Sequence, residues 1–461
     1  MKLRVSRFAI GLLLITVAGL GLRIVYIATW APHDVEELGG DAWYYHEAAN
    51  LFAEGKGFID PYRYTFGSSD NVTLADGQTI VVTTPVGHEE PTAGHPPAYV
   101  VFLGVIAWFG GRSLLIQQVA SALLGVASII VAGFLGRSLR SNRVGLIAAA
   151  LVAGYANIWI NDGLIMSETI AVLFTLIVTF FGLRFWRQPS KLNAVIFGVG
   201  GALAALTRVE LLLFLPIIAA VALWKAPISW SDRVFRYAIA GFSCCIILAP
   251  WVIRNNLVMN ERITLSDGLG TVMVQANCDA TYYGEHIGFW NLDCGAPQPF
   301  GPNGELLDES QRDVVVRDRA SGYIAAHTKR LVTVVVPARV GRMLGFYQPL
   351  EQIRIDVIED RPWFPAWLGF WQYVILAPMA IGGAVIQWRR KQPVLVIGLW
   401  MVLATFTAAT AFGMTRYRIG AEVSIVLFAA ITFDALWSRF RPAPADQNEN
   451  ISLVPAEVNE A

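Results

Sequence analysis

Long apolar runs separated by short basic connections dominate the chain. Runs such as Ser113–Leu135 and Val394–Phe412 carry almost no polar positions, so no amphipathic stripe marks a side that would face water. Their length and uniformity predict helices at 8–29, 113–136, 143–160, 165–186, 192–206, 211–224, 237–253, 365–388, 393–412 and 419–438. The pair 192–206 and 211–224 falls short of the roughly 17–25 residues a spanning helix needs. A tight hairpin, or tilted helices, would hold the polar turn Thr207-Arg208-Val209-Glu210 inside the protein. The predicted fold class is an all-α polytopic membrane protein with about ten transmembrane helices.

Composition agrees with the pattern. Of 461 residues 55% are hydrophobic and only 15% charged, against about 25% charged in a soluble domain. The formal net charge is zero, so no excess of either sign argues for nucleic acid or an acidic partner. Position matters more. Lys2/Arg4/Arg7, Arg137/Arg140/Arg143, Arg184/Arg187/Lys191, Lys225/Arg233/Arg236, Arg389/Arg390/Lys391 and Arg439/Arg441 fall at alternate connections, which predicts both termini in the cytoplasm. The first apolar run has no small-residue cleavage site after it and reads as an uncleaved signal anchor. The predicted organisation is an N-terminal transmembrane module over 1–253 with a first outer loop at 30–112. An extracytoplasmic region at 254–364, C-terminal helices over 365–440 and a disordered cytoplasmic tail at 441–461 follow. Within the first loop, Pro97–Phe109 reads as a helix that does not span, and in the second region an amphipathic helix is expected over Ser310–Lys329. No internal repeat is visible.

Chemistry-bearing residues gather at the outer connections. Asp41, in Gly39-Gly40-Asp41-Ala42-Trp43-Tyr44-Tyr45-His46, opens a helical pattern that stops at Gly55 and Gly57. A side chain there caps the helix; a carboxylate partly shielded by aromatics also has an acidity suited to general-base work. His95, before Pro96-Pro97, precedes the in-loop helix and could turn a polar ring toward the same place. Glu168, in Met166-Ser167-Glu168, complements a helix N-terminus or serves a site, while Asp162 reads as a surface residue. Arg208 and Glu210 suggest an internal ion pair or a cavity wall. Arg254, and Arg416 with Arg418, sit where the positive-inside pattern disfavours them, and arginine suits bidentate phosphate binding. Cys278 and Cys294 flank a short polar segment without a CxxC partner, which favours a disulfide over zinc if the loop faces an oxidising compartment. There is no Walker loop, dinucleotide fingerprint or HExxH, so energy for any reaction would come with the substrate.

In order, the motifs are Asp41–Tyr45, His95–Pro97, Gly136–Leu139, Met166–Glu168, Thr207–Glu210, Pro250–Asn255 and Arg416–Arg418. Their succession resembles the GT-C superfamily of membrane glycosyltransferases. It is most similar to the bacterial enzymes related to protein O-mannosyltransferases and lipid A aminoarabinose transferases (glycosyltransferase family 39-like). The resemblance runs from 1 to about 440 and implies a GT-C-type bundle with two large extracytoplasmic loops. It implies an inverting hexosyl- or pentosyltransferase of the cytoplasmic membrane that uses a polyprenyl-phosphate sugar at the outer face. The acceptor could be lipid, glycan or protein. Carried over by position, Asp41 would be the base and Glu168 the second acidic residue. Tyr44, Tyr45, His95, Arg208, Glu210, Arg254, Arg416 and Arg418 would line the substrate site. No metal is expected if arginines neutralise the phosphate; a divalent ion between Asp41 and Glu168 is the lesser alternative. Gly420 stands where many relatives have proline, and Tyr64–Glu90 maps onto no family element.

Two other classes compete. A lipid-linked sugar flippase would also want buried arginines and a large cavity, and it predicts broken helices in paired repeats. A polysaccharide polymerase would use outer arginines but gives no reason for an aspartate directly after the first helix.

Overall fold

A computed structural model describes residues 6–440, apart from 75, 358 and 359; the expected tail at 441–461 lies outside the described residues. The chain is mostly helical, with one two-stranded sheet among the described residues.

All ten apolar stretches are helical. Six helices are long and apolar enough to cross a membrane: Arg7–Thr29, Leu114–Leu139, Glu168–Arg187, Trp230–Val258, Trp363–Arg389 and Thr415–Phe440. The stretch expected at 143–160 is a pair, Asn142–Gly154 and Ala156–Gly163, bent by 50° and counting as a seventh span if the pair is one. Lys191–Ala205, Val209–Trp224 and Val394–Thr410 are shorter apolar helices. The chain is a multi-pass membrane protein.

The bend at Tyr155 is held from another helix. Breaking a helix strands backbone groups that hydrocarbon cannot satisfy. Here Ala156 N donates to Gln372 Oε1 at 2.7 Å, and Gly154 O accepts from Gln372 Nε2 at 2.9 Å and Trp159 Nε1 at 3.2 Å. One amide side chain thus closes both ends of the break.

Helices approach closely through glycine, as expected where apolar faces alone give little preference for one neighbour over lipid. A Cβ on Gly383 would strike the Phe428 carbonyl, one on Gly198 the Ala240 carbonyl, and one on Gly145 would lie 2.5 Å from Gly133 O. The first helix is pinned by charge instead. Arg23 and Asp162, both buried, pair at 2.5 Å, and Asp162 Oδ1 accepts from Thr169. Asp162 is therefore not the surface residue the sequence suggested: the bend carries it inward, where an ionised group must be paired.

The segment after the first helix contains helices Gly40–Ala53, Pro61–Phe66 and Ala98–Trp108. The unmapped stretch Tyr64–Glu90 contains an antiparallel hairpin, Ser68–Thr73 with Thr79–Thr84, in register Ser68↔Thr84. The described residues of 259–362 form short helices and turns, with a disulfide between Cys278 and Cys294. Their longest helix, Glu309–Ala326, starts in a capping box of Asp308 and Gln311.

Candidate functional site

Asp41 sits in the first turn of helix Gly40–Ala53, but the N-cap is Gly39, and Gly39 N donates to Asp360. Gly40, at φ +46°, turns the chain just before Asp41 through a conformation that suits glycine. The capping reading of Asp41 is thereby corrected: its carboxylate leaves the helix and receives Arg416. Arg416 Nη2 donates to Asp41 Oδ2 at 2.5 Å, and Arg416 Nε donates to Glu168 Oε1 at 2.6 Å. One guanidinium therefore bridges the carboxylates of two distant helices.

A second arginine extends the cluster. Arg208 Nη1 donates to the same Glu168 oxygen at 2.5 Å, and its Nε donates to Glu210 Oε1 at 2.5 Å. Arg208 emerges where helix Lys191–Ala205 gives way to a 3-10 turn, so both nitrogens turn inward. Glu168 is fully buried, while Asp41 keeps 30% of its side-chain surface. Asp41 is the accessible end of a buried chain of charges.

His95 and Tyr45 complete the mouth. His95 Nε2 lies 3.6 Å from Asp41 Oδ1, and Tyr45 OH is 3.2 Å from His95 Nδ1. If Tyr45 donates to Nδ1, Nε2 carries the proton and faces the carboxylate. Burial pushes the Asp41 carboxyl up, but the charges of Arg416 and His95, the Arg416 hydrogen bond and the charge of Arg208 outweigh it and hold the group well below the usual carboxylate range. Burial pushes His95 below 6.5 against the pull of Asp41, with Arg416 and Arg208 adding to the fall. At neutral pH the pair is a carboxylate facing a neutral imidazole.

Beside Asp41, Trp43 stacks on Tyr62 at 4.5 Å and on Phe66 at 5.1 Å. With Gly40 and Leu38 these rings line an open groove. The backbone strains at Ile165, a β-branched residue at φ +53°, three residues before Glu168.

Two expected arginines lie elsewhere. Arg254 donates to the carbonyls of Thr92 at 2.7 Å and Phe58 at 2.6 Å and lies over Trp251, so it ties the first loop to helix Trp230–Val258. Arg418 is buried, pairs with Glu422 at 2.6 Å, donates to Met343 O and covers the Tyr373 ring. It points into the bundle because it follows Arg416 by two residues in a helical turn. Tyr44 also turns from the cluster, with its hydroxyl 3.4 Å from Thr92 Oγ1.

Two arginines were missed. Arg342 and Arg361 line an enclosed cavity with Asp356, Gln352, Thr415 and Arg418, next to the charge cluster. Arg361 is buried and donates to Asn161. Its sequence signal is an ionisable residue immediately before an apolar helix; Arg342, within a basic-apolar stretch, gave none.

Among the described residues no three His, Cys, Asp or Glu side chains converge as a metal-ligand set. Asp41 and Glu168 come together, yet a guanidinium stands between them where a bridging cation would have to sit.

No family model matches the chain, and no curated protein matches it in sequence. Solved structures do match in fold. The apo oligosaccharyltransferase of Archaeoglobus fulgidus superposes with a TM-score of 0.53 at 12% identity, over 95% of this chain and 52% of that one. The archaeal oligosaccharyltransferase AglB of the same organism, in complex with an inhibitory peptide and a dolichol-phosphate, gives 0.54 at 14%, over 94% and 50%. A further structure, in complex with zinc and sulfate, gives 0.52 at 14%, over 93% and 49%. The chain spans about half the length of these proteins. This chain shares the fold of these oligosaccharyltransferases over most of its own length.

Proposed function

We propose that the chain is an inverting glycosyltransferase that moves a sugar from a polyprenyl-phosphate carrier to an acceptor hydroxyl at the outer face of the cytoplasmic membrane. The observation that carries the reading is Asp41, partly exposed at the end of the Arg416–Glu168–Arg208 chain and faced by His95. The fold, and the dolichol-phosphate bound by one structural neighbour, support a lipid-phosphate donor.

In the reaction the acceptor oxygen forms a bond to the anomeric carbon as the bond from that carbon to the phosphate oxygen breaks. The released electron pair stays on the phosphate, and the acceptor proton leaves to Asp41. A carboxylate held this far into the acidic range is a weak base. It accepts the proton late, once the attacking oxygen has become acidic, and before that it orients the hydroxyl. His95 fixes the other carboxylate oxygen, and Glu168 and Arg416 keep the group from swinging away.

Arg416 and Arg208 are matched by Asp41, Glu168 and Glu210, so this cluster has no surplus positive charge for a phosphate. The neighbouring cavity holds Arg361, which donates to Asn161, and Arg342, which spends Nε and Nη2 on the carbonyls of Ile287 and Glu285 and on Gln348; Arg418 is balanced by Glu422. In this reading the donor phosphate belongs beside Arg361, and arginine rather than a metal neutralises it.

The test is turnover of a polyprenyl-phosphate sugar by the purified protein. Asp41→Asn should lower it by about 10²–10⁴-fold with unchanged yield and thermal midpoint. Full activity in Asp41→Asn would sink the mechanism. Movement of intact lipid-linked sugar between leaflets without cleavage would replace it with a flippase.

A further inference from the structure

Past Tyr44, the carboxylates of Glu309 and Asp267 meet. Glu309, in the first turn of helix Glu309–Ala326, accepts from Ala93 N at 2.8 Å and Thr92 Oγ1 at 3.0 Å. Asp267 is only 5% exposed, and neither of its carboxylate oxygens has a hydrogen-bond partner. Both side chains aim at one point. A Cβ on Gly94 would lie 2.8 Å from Glu309 Oε1, 3.5 Å from Thr92 Oγ1 and 3.8 Å from Asp267 Oδ1. A residue larger than glycine would fill the space those oxygens surround.

The surrounding charge does not balance. Asp60 and Asp313 stand close enough to act on this pair, and Glu90 lies in the same layer. Arg63 is shared between Glu90 and Asp60, Arg312 is drawn to Glu90, Arg317 acts on Asp313, and Arg254 spends both outer nitrogens on carbonyls and Asn255. Five carboxylates thus face four guanidinium groups, and the one left over lies beside a side chain with both oxygens unmatched. Isolated buried charge of this kind is costly unless a cation answers it.

We infer that Asp267 and Glu309 bind a divalent cation of the hard, oxygen-preferring class, with calcium the best fit. Calcium accepts an irregular set of carboxylate, hydroxyl and solvent oxygens, whereas magnesium demands a near-ideal octahedron. With two carboxylates the affinity falls on the order of 10⁻⁴–10⁻³ M. The site is separate from Asp41 and Glu168. It clamps the Thr92–His95 turn: Ala93 N is held by Glu309 and Ala93 O accepts from Asp267 N at 3.1 Å, two residues before His95. The cation's role is to hold that turn and so to position the imidazole ring.

The experiment uses full-length protein in detergent, stripped with chelator and returned to several millimolar calcium or magnesium. Calcium should raise the thermal midpoint by about 2 °C, more than magnesium does, and radioactive calcium should bind at one ion per chain. Asp267→Asn and Glu309→Gln should each abolish the rise, while Glu261→Gln, on the exposed surface nearby, should keep it. A rise that survives both site variants overturns the assignment. So does a wild type indifferent to both ions while Asp267→Asn is more stable than wild type, since the two carboxylates would then simply share a proton. Should neither site variant fold, binding of calcium to the wild type decides alone, and its absence overturns the proposal. None of these readouts depends on transferase activity.

Discussion

A single guanidinium serves two carboxylates at Arg416, and removing either acid should disturb the other. His95 offers the sharper test because burial outweighs its charged neighbours in setting its state. Its folded-state acidity lies below the ordinary 6.5, chiefly through burial, so the unfolded chain takes up the proton first on acidification. The neutral ring therefore contributes stability above that value, and the contribution is lost as pH falls below it. The thermal midpoint should drop between about pH 7 and pH 5, and His95→Asn should flatten that drop; an identical slope in the variant would remove His95 from the account. Arg23 and Asp162 make a second residue-level case. Asp162→Leu leaves a buried guanidinium without its partner, an expected loss of about 3–5 kcal/mol, seen as poor yield or a lowered midpoint. Arg23→Leu combined with Asp162→Leu should recover most of it. No recovery in the double variant would mean that the pair does more than cancel charge.

At the scale of elements, the break at Tyr155 is where local pattern and structure part. The apolar run 143–160 reads as one continuous helix, and Gly154 alone is too weak a signal to end it. What permits the bend is Gln372, more than 200 residues away, which answers the freed donor and acceptor together. Gln372→Leu should then cost about 2 kcal/mol or more in thermal unfolding. Gln372→Glu, which keeps only the acceptor, should lose less; equal losses would show that shape rather than hydrogen bonding matters there. The bend in turn carries Asp162 to Arg23 and Tyr155 to Glu422, with Tyr155 OH donating at 2.8 Å. One misread helix therefore misplaced an ion pair as well.

For the whole molecule, ten apolar stretches, the in-loop helix and the basic connections were legible because hydrophobic length and charge position are local properties of the chain. Asp41, Glu168, Arg208 and Arg416 were grouped because the expected alternation of basic connections assigns the ends they flank to one side. What could not be read was partnership. Nothing in Arg418 or Arg254 distinguishes an arginine tied to a glutamate or to carbonyls from one that faces a cavity, and Arg361 and Arg342 went unnoticed because their neighbours in space lie far along the chain. The orientation in the membrane has its own test. In a background with Cys244 and Cys245 changed to serine, Ser69→Cys should react with an impermeant maleimide added outside intact cells. Asn142→Cys should be protected until the cells are opened; the opposite pattern would invert the topology.

Arg416 has a consequence for how the protein is made. It lies 375 residues beyond Asp41, so a ribosome has made both acidic partners long before their common arginine emerges. Until then Glu168 has only Arg208 and Asp41 has only His95. The nascent chain passes through a stage in which Asp41 and Glu168 lack the guanidinium that joins them. The cluster closes only when the turn before the last described helix has been made.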